Sequence, residues 1–284
     1  MSPCKIHHSQ YLYHASAYGL AAEIDRPVKQ SIHTQASTTL STGGGRGTDR
    51  VDKFCVAPFV SFDAAYCEVG GSFDDCHDMH STYAQAIIEG LNIFDVVTAD
   101  RVVSRMVIYS PGAEGDEGES SYDITGSYFD NLRIAGRPVE VKLPATAVQK
   151  HDRYSSFEKA FLGPQGHELL PWGDKSPEEL EALEKEYHAL TGMGKRAKAW
   201  KQKKQRNGGA YRASVAGNLD LKGSGLTGLG GIILVPKFGV VRLAELIVHK
   251  DYRRLTMFNV QMCSGTHGGA SGGGTSGSGG TSGP

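Results

Sequence analysis

The chain has 284 residues, a net charge of −1 and 37 glycines. A chain of this length buries a large core as one β domain, or as one domain with an insertion. The balanced charge gives no electrostatic reason to expect nucleic acid or an acidic membrane as a partner, and offers little resistance to self-association. No segment approaches the ~18 apolar residues of a membrane span. Residues 1–30 lack the continuous apolar stretch of a secretory signal. The expected location is therefore the cytoplasm, or the exterior by a route without a recognisable signal peptide.

Residues 1–9 read as an N-terminal arm. From Gln10 to about Gly70 the chain reads as strands and turns, including Tyr11-Leu12-Tyr13 and Ile32 to Leu40, with a glycine breaker at Gly43 to Gly47. Val51 to Val69 is apolar and aromatic, broken at Pro58. The strongest β signals follow. Gly90 to Asp100 runs on to Tyr109 as one β-like segment, and Asn131 to Leu143 alternates cleanly. Leu132 and Ile134 point inward with Arg133 outward; after a turn at Ala135 to Pro138, Val139, Val141 and Leu143 point inward with Glu140 and Lys142 outward. This period-2 pattern predicts a hairpin with one buried face, anchored by Leu91, Ile93, Leu132, Ile134, Val139 and Val141.

Residues 145–207 read as a helical insertion. Ser176-Pro177-Glu178-Glu179 is a capping box with proline at the first helical position, and Thr191-Gly192 ends the helix. A basic helix follows, with seven cations between Lys195 and Arg206. The spacing predicts a helical hairpin, with the glutamates of the first helix against the cations of the second. Lys195, Arg196, Lys198, Trp200 and Lys201 are the candidate interaction residues, for internal or intersubunit pairing rather than nucleic acid. β structure resumes at Tyr211, with Ile232 to Leu234, Val240 to Val248 and Leu255 to Met262. The predicted β domain thus covers residues 10–264. Residues 265–284, ten of them glycine, read as a Gly/Ser/Thr-rich tail outside the fold, because they lack apolar surface to bury.

Motif matches carry little chemistry. Gly223-Ser-Gly225-Leu-Thr-Gly228 matches the dinucleotide fingerprint as a string, but a strand signal follows where the motif needs a helix, so it reads as a β turn. Gly269-Ala-Ser271-Gly-Gly273 has no strand-turn-helix context and is a chance nucleophile-elbow match. Cys76, His77, Asp78 and His80 are the candidate metal ligands, suited to zinc by chemistry. Their spacing follows no specific ligand pattern, and the alternative is a polar connection between strands. The acidic loop around Glu114, Asp116, Glu117 and Glu119 offers oxygens for calcium without the EF-hand order. No cofactor and no catalytic residue is assigned. Five cysteines, an odd count, favour reduced thiols.

Gly90–Arg105 (GLNIFDVVTADRVVSR) with Gly126–Val141 (GSYFDNLRIAGRPVEV) resembles a pattern found in uncharacterised bacterial β-rich proteins of the choice-of-anchor type. The resemblance covers residues 90–141. It implies an all-β fold and carries no catalytic residues over. The expected fold is mainly β, an antiparallel β-sandwich or β-solenoid-like domain with an α-helical hairpin insertion. The expected function is a non-enzymatic structural or interaction protein that associates with itself as a homo-oligomer or filament. The alternatives are a metal- or carbohydrate-binding β module and a hydrolase with a site built from distant loops.

Overall fold

The computed structural model describes residues 11–24, 29–112, 119–143, 151–162, 211–216, 219, 221, 224–229, 231–262 and 268–281. Two antiparallel sheets, each of eight strands among these residues, pack face to face as a β-sandwich. The solenoid alternative falls away. The N-terminal arm, the helical hairpin at 176–206 and its five candidate interaction residues lie outside the described residues. Within the helical region, α1 (Tyr154–Leu162) is described.

The first sheet is built mainly from the two ends of the chain. β1 (Tyr11–Ile24) pairs with β2 (Gln30–Thr39) on one side. β13 (Ile232–Val235), β14 (Gly239–Val248) and β15 (Arg253–Met262) form a meander, with β12 (Thr227–Leu229) beyond β13 and β11 (Tyr211–Ser214) also against β14. Between β15 and β1 lies β16 (Gly268–Thr281). This overturns the expectation of a tail outside the fold. The segment brings no large side chains, but its backbone groups complete two ladders. Its narrow profile lets Tyr18 and Phe258 from the neighbouring strands close over it.

The second sheet runs β3 (Gly45–Val56), β4 (Val60–Asp74), β5 (Met79–Ile93), β6 (Val97–Pro111). Three short strands line the far edge of β6: β7 (Ser121–Asp123), β8 (Tyr128–Asp130) and β9 (Arg133–Ile134), with β10 (Arg137–Pro138) folded back on β9. The segment expected to run unbroken from Gly90 to Tyr109 is two strands. Phe94 and Asp95 both take φ of +56°, and this turn joins β5 to β6. The expected hairpin anchors hold: Leu91, Ile93, Leu132, Ile134 and Val139 are buried, and Val141 packs half-buried against them.

One feature reverses the simple alternation. In β1 the buried residues are Tyr11, Tyr13, Ala15, Ala17 and Gly19, then Leu20, Ala22 and Ile24. In β5 they are Thr82, Ala84, Ala86 and Ile88, then Leu91 and Ile93. Parity switches in mid-strand, and it switches on neighbouring strands together. In the first sheet the ladders skip a pair along a transverse row, Ala244–Met257–Gly273–Gly19–Ala36. In the second sheet the row is Asp100–Gly90–Asp63–Lys53. Every other strand contributes a left-handed residue to its row: Ala244, Gly273 and Ala36 in one, Gly90 and Lys53 in the other. A left-handed residue turns the following side chain to the opposite face. When paired strands switch together, the core face stays apolar across the break. At Gly90 the requirement is also steric, because a Cβ there would run into the Asp63 carboxylate.

Candidate functional site

The candidate metal ligands occupy the β4–β5 hairpin. There the structure separates them. The Asp74 carboxylate accepts hydrogen bonds from the Cys76 amide and the His77 ring, at 2.9 and 2.7 Å, which closes the turn. The bond from His77 holds the Asp74 carboxyl below the usual carboxylate range. His80 turns away from that loop. Its ring stacks on Tyr11 with centroids 3.7 Å apart, and its Nδ1 shares a hydrogen bond with the Tyr13 hydroxyl at 2.7 Å. Burial lowers the His80 pKa against the opposing charge of Asp78. Among the described residues, no three of His, Cys, Asp and Glu gather closely enough to hold a metal ion. Of the quartet, Cys76, His77 and Asp78 lie in the hairpin connection, and His80 is an aromatic anchor. The anchor ties the start of β1 to the β4–β5 hairpin.

At the same end of the sandwich, Arg253 is 3% exposed and caps the β14–β15 turn. Its Nη1 donates to the backbone oxygens of His249, Lys250 and Tyr252, and its guanidinium lies 5.6 Å from the centre of the Tyr122 ring. Burial depresses its pKa below that of an ordinary arginine.

A second polar group lies on the outer face of the β3–β6 sheet, where sequence reasoning placed nothing. Antiparallel pairing sets Glu68 directly opposite Gln85. Tyr66 reaches along β4 so that its hydroxyl donates to Glu68 Oε2 at 3.1 Å. Tyr83 reaches the opposite way along β5 and donates to Gln85 Oε1 at 2.6 Å. Two phenols thus converge on one carboxylate–amide pair. Arg46 closes the group from β3, with Nη2 2.7 Å from Glu68 Oε1. Burial, with the Glu68 charge beside it, pushes the Tyr83 hydroxyl up to about 12, so it stays protonated and donating at neutral pH. A signal existed in the sequence. Tyr66-Cys67-Glu68 and Tyr83-Ala84-Gln85 repeat a Tyr-x-Glu/Gln pattern on adjacent strands, with the middle residue buried in each.

The same face carries Arg50, Arg101 and Arg105 at outward positions. Arg50 pairs with Asp52 at 2.9 Å, Arg101 lies 3.8 Å from Glu89, and Arg105 donates to the Thr125 carbonyl at 2.7 Å. Among the described residues, no helix is long and apolar enough to cross a membrane.

No curated protein and no solved structure matches this sequence. A family model does match, from the first residue of β1 to the residue after β14, leaving β15 and β16 beyond it. The chain belongs to the family described as Domain of unknown function (DUF8256), whose model it matches over residues 11–249.

Proposed function

We propose that the protein is a non-enzymatic structural or interaction module whose copies associate through the outer face of the β3–β6 sheet. The composition of that face carries the reading. Tyr66, Tyr83 and Tyr109 share it with Arg46, Arg50, Arg101 and Arg105, while lysine enters only at Lys53 on the transverse row. Interface centres favour tyrosine and arginine and disfavour lysine. Tyrosine offers a large amphipathic ring at little entropic cost, and a guanidinium sheds water more easily than an ammonium.

Both signs of charge alternate over this surface, as Arg46–Glu68, Arg50–Asp52 and Arg101–Glu89. A mixed surface of this kind can complement itself about a two-fold axis. The net charge of −1 adds little long-range repulsion between copies. Association through the outer edge of β3 is disfavoured, since Arg50, Asp52 and Lys53 crowd it with exposed charge.

Sedimentation of the full chain at about 100 μM tests the reading. The expected result is a dimer or larger species, converted to monomer by Tyr83→Ala with Arg105→Glu at an unchanged circular dichroism spectrum. A monomeric parent protein at that concentration overturns it.

A further inference from the structure

The first sheet also has a concave outer face. β16 lies between β15 and β1, and its small residues sink the middle of the sheet into an open polar groove of about 540 Å³. Ser271 forms the floor; Asn259 and Gln261 of β15 form one wall; Glu23 of β1, with Ser31 and His33 of β2, forms the other. The walls lie two strand spacings apart, about 10 Å. Gln261, Gly269, Glu23 and Ser31 follow one another across the ladders, so an amide and a carboxylate face each other over a glycine.

The amide orientation follows from Arg242. Its Nη1 and Nη2 both lie 3.3 Å from Gln261 Oε1, and Nη1 lies 3.5 Å from Asn259 Oδ1. A guanidinium only donates, so both amides must turn their oxygens toward Arg242 on β14. Their NH2 groups are then turned away from the guanidinium. One wall therefore presents donors and the other presents the Glu23 acceptor, with Ser31 and Ser271 hydroxyls that do both.

We infer that this groove binds a neutral saccharide. Sugar hydroxyls both donate and accept, so a single ring can span a donor wall and an acceptor wall. The floor of small side chains lets a flat ring approach the sheet. The Glu23 carboxylate disfavours anionic ligands. This site lies on the opposite sheet from the proposed self-association face and does not depend on it.

The test applies the full chain to an array of neutral gluco-, manno-, galacto- and xylo-oligosaccharides, with sulfated and uronic-acid counterparts, and follows each hit by calorimetry. Retention of at least one neutral oligosaccharide is expected, with no retention of its charged counterpart. The paired change Asn259→Ala and Gln261→Ala should weaken binding about tenfold or more, as loss of charge-free hydrogen bonds predicts. Glu23→Gln should bind better than Glu23→Ala, because it keeps an acceptor. An array without a neutral hit at about 1 mM protein–ligand affinity overturns the inference. Binding that survives the amide changes overturns it equally. All three positions are on the outer face, and unchanged melting of the variants separates lost binding from lost fold.

Discussion

The Ser104 and Thr275 hydroxyls meet at 3.0 Å inside the sandwich, 171 residues apart in the chain. Ser104 is fully buried and Thr275 is 1% exposed. The bond joins β6 of one sheet to β16 of the other. Either change alone, Ser104→Ala or Thr275→Val, leaves one buried hydroxyl without its partner, at a cost of about 1–3 kcal/mol. The double change removes both polar groups and should cost less than the sum. Denaturant unfolding of the four proteins measures the coupling. Additive losses would show that the two hydroxyls do not meet.

β16 is a central strand, and its glycines make that position possible. A Cβ at Gly272 would lie 2.6 Å from the Gly19 carbonyl oxygen and would also meet the Phe258 ring. Backbone cannot step aside cheaply, so Gly272→Ala should destabilise by about 1–3 kcal/mol. The readout is a lower denaturation midpoint at an unchanged slope. Ending the chain after Met262 should have a far larger effect. It would leave β1 and β15 as unpaired edges, and cooperative melting should be lost. A truncated protein that melts like the parent would return residues 268–281 to the role of a tail.

His80 makes stability depend on pH. Folding lowers its pKa from the ordinary 6.5, chiefly because the stacked ring is withdrawn from water. The unfolded chain then binds the proton more readily than the folded one. Its contribution to stability is complete above pH 6.5 and is lost as pH falls through the lower folded value. His80→Gln keeps an acceptor but does not titrate. The parent should lose more stability than this variant between pH 7 and pH 5, measured as the difference between their two unfolding profiles. Superimposable profiles would remove His80 from the pH response.

The described thiols should react in two classes. Cys67 is fully buried, and burial pushes its thiol up to about 12, so almost no thiolate forms at pH 8. Cys55 and Cys76 are exposed. Alkylation of the native protein, mapped by peptide mass, should label Cys55 and Cys76 quickly and Cys67 only after denaturant is added. Native labelling of Cys67 at a comparable rate would contradict its place in the core.

Local patterns in the chain determined the β class, the hairpin at residues 131–143, and the strands from Ile232 to Met262. Each of these depends on a residue's own neighbours: apolar side chains at every second position, and turn-forming residues between them. The same logic failed where distant residues decide. Parity reverses in mid-strand because left-handed residues, Ala244 with Gly273 in one sheet and Gly90 with Lys53 in the other, share transverse rows, and no single strand records that alignment. The Tyr66–Glu68–Gln85–Tyr83 group exists because pairing sets Glu68 opposite Gln85. Composition alone left residues 268–281 outside the fold, since glycine and serine bring almost no apolar surface. Tertiary structure placed them at the centre of a sheet, where Tyr18 and Phe258 supply that surface from β1 and β15, and the glycine backbone needs only to pair with both strands and leave those rings room.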